Sequence, residues 1–160
     1  MYSEPLAYFL TFTVRGSWRH GDIRGSWQRH GRFVAPGTQV YAEPNRQPPH
    51  FFSGEEQRVV AEAIREQCGI KKWTLHDMSV RRSHNHVVVS AVDVTPETVL
   101  KLMKTKATQR LRQHGFVKSD EKIWTQHGST RYLFNDQSLV TACDYVRNHE
   151  SQPEELPPEF

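Results

Sequence analysis

The chain has 160 residues, enough for one domain with a hydrophobic core of its own. At 36% hydrophobic and 24% charged it is polar for a globular protein, yet not of disordered composition, and no run approaches a membrane span. The net charge of +3 is unevenly spread: residues 71–115 hold nine Lys and Arg against three acidic residues, and residues 150–160 hold four glutamates and no base.

That distribution admits a polyanionic partner, although many basic surfaces serve solubility alone. The start, MYSEPLAYFLTFTV, lacks the basic region and cleavage site of a signal peptide, so a soluble cytoplasmic protein is expected. Cys68 and Cys143 fall among apolar residues of predicted helices and read as buried free thiols.

Residues 8–14 alternate and are rich in β-formers, with Tyr8, Leu10, Phe12 and Val14 on one face; this is the first strand, and its apolar character places it centrally. An irregular insertion follows at about residues 15–50. It opens with a local echo, RGSWRHG and then RGSWQRHG, and continues through Pro36, Pro44, Pro48 and Pro49. Trp18 and Trp27 on this loop or hairpin edge suit stacking on unpaired bases, with Arg15, Arg24 and Arg29 at phosphates. The competing reading is that the tryptophans close a satellite core beneath the loop.

A helix begins after Ser53, with Glu56 completing a capping box, and breaks at Gly69. A strand at residues 71–80 comes next, with Trp73, Leu75 and Asp77 on one face and His76 and Met78 on the other. A short turn at Arg81-Arg82 joins it to a third strand at residues 83–92, which favours an antiparallel hairpin. Thr95-Pro96-Glu97 starts a second helix by cap, proline and acidic first turn, and Gly115 ends it. Val99, Leu100, Met103, Ala107 and Leu111 form its buried stripe. Lys101, Lys104 and Arg112 lie mostly on the opposite side, where they suit a nucleic-acid backbone or simply solvent. A last strand at residues 130–134 and a last helix at about residues 137–148 precede a proline-containing acidic tail, 151–160. Apart from the insertion this is βαββαβ plus one helix: an α+β, ferredoxin-like antiparallel sheet within a single domain at residues 1–150.

The strongest local signal is SHNHVVVSA at residues 83–91. Residues two apart on a strand share a face, so His84 and His86 project from one side of an internal strand and can hold one metal ion. Two structural histidines on a polar face are the alternative. Arg81 and Arg82 precede the pair and suit a phosphate near the metal. Tyr145 and His149 are four apart on the last helix. If that helix crosses the histidine face, His149 supplies a third ligand and Tyr145 a nucleophile.

These residues resemble the IS200-like transposases, within the HUH endonucleases of single-stranded DNA, and look closest to their REP-associated branch. The likeness is carried by SHNHVVVSA, by WTQHGSTRYLF at residues 124–134 and by DYVRNHE at residues 144–150. It implies that His84 and His86 are paired metal ligands, that Tyr145 is the nucleophile and that His149, or in a shifted alignment Asn148 or Glu150, completes the coordination. It further implies Mg²⁺ or Mn²⁺ as cofactor, a hairpin-containing single-stranded DNA substrate, a 5′-phosphotyrosyl intermediate and, in some members, a homodimer. Three nitrogen ligands alone would favour Zn²⁺, so Mg²⁺ or Mn²⁺ rests on the resemblance. Asn85 departs from the family, where the residue between the histidines is usually bulky and apolar. Its side chain is expected on the helix-packed face, where an unbonded amide is costly. A non-cutting DNA- or RNA-binding protein and a small Zn-dependent hydrolase are the competing functions.

Overall fold

The computed structural model describes residues 3–15, 26–27, 33–34 and 49–148. Strands β1 (Ala7–Thr13), β4 (Thr74–Val80), β5 (His84–Ser90) and β6 (Ser129–Leu133) form one antiparallel sheet in the order β4-β5-β1-β6. Helices α1 (Gly54–Lys71) and α2 (Pro96–Gln113) pack on one face, and α3 (Asp136–Asn148) lies on the other. Within the insertion, β2 (Ser26–Trp27) and β3 (Phe33–Val34) make a separate antiparallel pair. The core connectivity is the expected ferredoxin-like βαββαβ, with α3 added.

β1 is central because both of its faces are apolar over most of its length. Tyr8, Leu10, Phe12 and Val14 join Val87 and Val89 of β5 in the larger core, closed by Val60 and Ile64 of α1 and by Met103 and Leu111 of α2. Phe9 and Ala7 point the other way. With Val88 and Leu133 they meet Ala142 and Val146 of α3 in a smaller core.

Local chemistry sets the helix ends. Ser53 Oγ accepts from the Glu56 amide at 3.2 Å, and Glu56 Oε1 accepts from the Ser53 amide at 3.4 Å, which is the expected capping box. α1 does not break at Gly69. It runs on to Lys71, and Lys72 takes the left-handed conformation (φ 57°) at its C-cap. Thr95 caps α2 and Pro96 occupies its first turn. Gly115, at φ 76°, turns the chain away after α2.

β4 departs from simple alternation. Its register against β5 shifts between Leu75 and Asp77, so His76 sits in a bulge. Leu75 and Met78 therefore both pack on the larger core, and Asp77 turns to the α3 face. The expectation that Leu75 and Asp77 share a face fails for this reason.

Candidate active site beneath the last helix

β5 presents His84 and His86 on the α3 face, with ring centroids 5.3 Å apart. His86 is almost fully buried. Its Nδ1 lies 2.9 Å from Thr11 Oγ1, and its ring stacks on Phe9 at 5.4 Å with planes 15° apart. His84 is half-buried, with Nδ1 3.3 Å from Ser83 Oγ. The register sets Ser79, His86, Thr11 and Ser129 side by side across four strands on this face.

α3 begins where Asn135 Oδ1 accepts from the Ser138 amide at 2.9 Å. Ala142 and Val146 seat it on the sheet, and Arg147 Nη2 bonds Asp77 Oδ2 at 3.1 Å. This docking brings Tyr145 over the histidines. Its ring centroid is 5.5 Å from that of His86 and 5.9 Å from that of Phe9, both in edge-on geometry. The two histidines and the tyrosine thus meet within one chain. Burial raises the Cys143 thiol on the same helix above its ordinary range, and Cys68 is pushed up to about 11 by burial; both are free thiols.

Two imidazoles on one strand, in their neutral form, suit two positions around a divalent cation. Among the described residues no group of three or more His, Cys, Asp or Glu is placed to hold a metal. A cation held by the two histidines would need further ligands from water, from substrate or from His149, which lies outside the described residues. His76, at the far end of the β4–β5 hairpin, bonds Ser90 Oγ at 2.7 Å, and burial lowers its pKa.

The candidate nucleic-acid residues separate by position. One step beyond the Val80–Asn85 pair, the Arg81 amide closes the hairpin on His84 O at 3.0 Å, which sets Arg81 opposite His84. Arg81 Nε is buried without a hydrogen-bond partner. The Arg82 guanidinium stands 5.6 Å from the ring centroid of Phe51, itself 47% exposed. The Arg15 amide bonds Ile123 O at 2.7 Å where the insertion leaves the sheet. Trp18, Arg24 and the Trp27 side chain lie outside the described residues. Lys101, Lys104 and Arg112 belong to α2, across the sheet from the histidines. Lys104 Nζ is engaged: it donates to Thr125 O at 2.9 Å and to His127 O.

Sequence reasoning missed Thr11, Asp77 and Gly128. Thr11 and Thr13 are the polar positions on the second face of β1, and that interruption of an otherwise apolar strand was the available signal. Gly128 presses on β1, since a Cβ there would lie 2.5 Å from Thr11 O and 2.8 Å from Leu100 Cδ2.

A ferredoxin-like sheet carrying a His-x-His strand beneath a tyrosine-bearing helix defines a narrow class of protein. The profile of the IS200-like transposases matches residues 44–149. The chain belongs to that family, and membership places it, in general terms, among enzymes of nuclease and recombinase chemistry. Its fold is similar to that of a REP-associated tyrosine transposase bound to a REP hairpin, with TM-score 0.55, 12% identity, and 93% of this chain and 69% of that one covered. It is also similar to a putative transposase from Deinococcus radiodurans, with TM-score 0.53, 12% identity and 92% of both chains covered. No curated protein matches the chain.

Proposed function

We propose that the protein cuts and rejoins hairpin-containing single-stranded DNA through a 5′-phosphotyrosyl intermediate, as a member of the REP-associated branch of its family. The observation that carries this reading is the placement of the Tyr145 ring 5.5 Å from that of His86, on the face that also bears His84. His84 and His86 would hold the cation, Mg²⁺ or Mn²⁺, with His149, four residues beyond Tyr145 in sequence, as third ligand. When bound, the cation polarises the scissile phosphate and lowers the cost of negative charge on it.

Tyr145 Oη, having given up its proton to water, attacks the phosphorus in line. A phosphorus–oxygen bond to Tyr145 forms as the bond to the 3′ oxygen breaks. The leaving strand takes up a proton as a free 3′-hydroxyl, and the other strand stays on Tyr145 through its 5′ phosphate. Attack by a 3′-hydroxyl reverses the step and joins DNA. Arg81 and Arg82 meet phosphates beside the site. Arg15, Trp18, Arg24 and Trp27 engage the strand or hairpin from the insertion, and Lys101 and Arg112 meet more distant backbone.

The test is a denaturing gel of the full chain with end-labelled single-stranded hairpins in Mg²⁺ or Mn²⁺. A metal-dependent DNA–protein adduct, absent from Tyr145→Phe, is expected. Salt-sensitive binding by both proteins without any adduct would instead establish a non-cutting DNA- or RNA-binding protein. Cleavage that survives Tyr145→Phe would point to hydrolysis by a metal-bound water.

A further inference from the structure

We propose that Thr11 is the positioning residue for His86, fixing the ring nitrogen that faces the site; this rests on the metal-ligand reading above. A cation on Nε2 requires the proton of the neutral ring to sit on Nδ1. In a ring only 3% exposed that proton needs an acceptor, because a buried donor left without one is costly. Thr11 Oγ1, 2.9 Å from Nδ1, is that acceptor. Phe9, one turn of the pleat away on the same face, holds the plane of the ring by stacking. The hydroxyl sets the tautomer and the aromatic ring sets the tilt.

Thr11 is itself held from both sides. It pairs with His86 on β5 and with Ser129 on β6. Toward β6 the chain lies so close that only glycine fits at 128, against the Thr11 carbonyl. Lys104 fixes that segment through Thr125 O and His127 O, and Thr125 bonds Thr13 O through both its amide (2.9 Å) and its hydroxyl (2.8 Å). A lysine on the helix face of the sheet therefore steadies a threonine on the site face. The hydrogen-bonded order runs from Lys104 to the 125–127 segment, and the close contact of Gly128 carries it to β1.

Thr11→Val keeps shape and strand propensity but removes the acceptor, and Thr11→Ser restores it. Two measurements on the full chain decide the matter. The first is the long-range nitrogen–proton spectrum of His86 without metal, at about pH 8 where an ordinary imidazole is neutral. Wild type and Thr11→Ser are expected to show the Nδ1–H tautomer and Thr11→Val a mixture; an Nε2–H tautomer in wild type would overturn the proposal whether or not the variant folds. The second is Mn²⁺ affinity by electron paramagnetic resonance. Thr11→Val is expected to bind about tenfold more weakly or worse, with recovery in Thr11→Ser. His86→Ala separates the two layers of argument. If it leaves Mn²⁺ affinity unchanged, the metal-ligand reading falls and this inference with it. If it abolishes binding while Thr11→Val binds like wild type, only the positioning role falls.

Discussion

Asn85 is an amide in an apolar place. It is fully buried opposite Phe12 and Val80, and neither side-chain atom has a hydrogen-bond partner. The unbonded amide costs stability that an aliphatic residue would not. Asn85→Val is expected to raise unfolding free energy by about 1–2 kcal/mol in a urea titration. An unchanged midpoint would mean that the amide finds water or rearranges. Because the side chain faces away from His84 and His86, adduct formation by Asn85→Val is expected to match wild type. This burial was legible from alternation alone, since the residue between two site-facing histidines must face the helices. The bond from Thr11 to His86 was not legible, because strand pairing across 75 residues leaves no mark at either position.

At the scale of elements, the wedge at residues 127–129 is the most sensitive joint. Gly128→Ala must push either Thr11 O or Leu100 aside. It is expected to destabilise the fold by about 1–3 kcal/mol, read from thermal or chemical unfolding, and to weaken Mn²⁺ binding through the displaced β1. The α1–α2 contact carries a pH signature. Arg110 Nε donates to Glu66 Oε2 at 2.8 Å, and this hydrogen bond holds the Glu66 carboxyl below its ordinary range. With the folded value lowered, the contribution is complete above the unfolded carboxylate pKa and is lost as pH falls through the folded value. Glu66→Gln is therefore expected to shed less stability than wild type on acidification in that window; parallel acid limbs would show that the pair is screened away, as exposed pairs often are. Helix starts were readable from Ser53 and Thr95 because capping is local chemistry. The β4 bulge was not, because a residue looped out of a ladder is defined by the partner strand. It exchanged the expected faces of Asp77 and Met78 and so concealed the Asp77–Arg147 anchor of α3.

For the molecule as a whole, the sheet separates two charged territories. Arg81 stands opposite His84 at the hairpin and Arg82 lies over the Phe51 ring, whereas Lys101 and Arg112 ride on α2 across the sheet. A short unpaired strand bound at Tyr145 is expected to register Arg81, and only a substrate long enough to wrap the sheet should register Lys101 and Arg112. For a short oligonucleotide, Arg81→Gln should reduce the slope of log affinity against log salt by about 0.7, one single-strand phosphate contact, and Lys101→Gln should leave it unchanged. The reverse pattern would move the strand to the helix face. The order of elements and the layering of α1 and α2 followed from sequence periodicity. Which residues of the basic helix remain for a ligand did not, since only three-dimensional contact commits Lys104 to Thr125 and Arg110 to Glu66.

The larger core is built without α3: Leu10, Phe12, Val87 and Val89 are covered by the other two helices, and Tyr145 contributes nothing to it. The candidate site and the larger core therefore sit on different sides of one sheet. On the proposed mechanism, a single codon change at Tyr145 would silence cutting and leave the helix-covered core untouched. A chain so altered would keep its basic surfaces and could still bind DNA on the proposed reading.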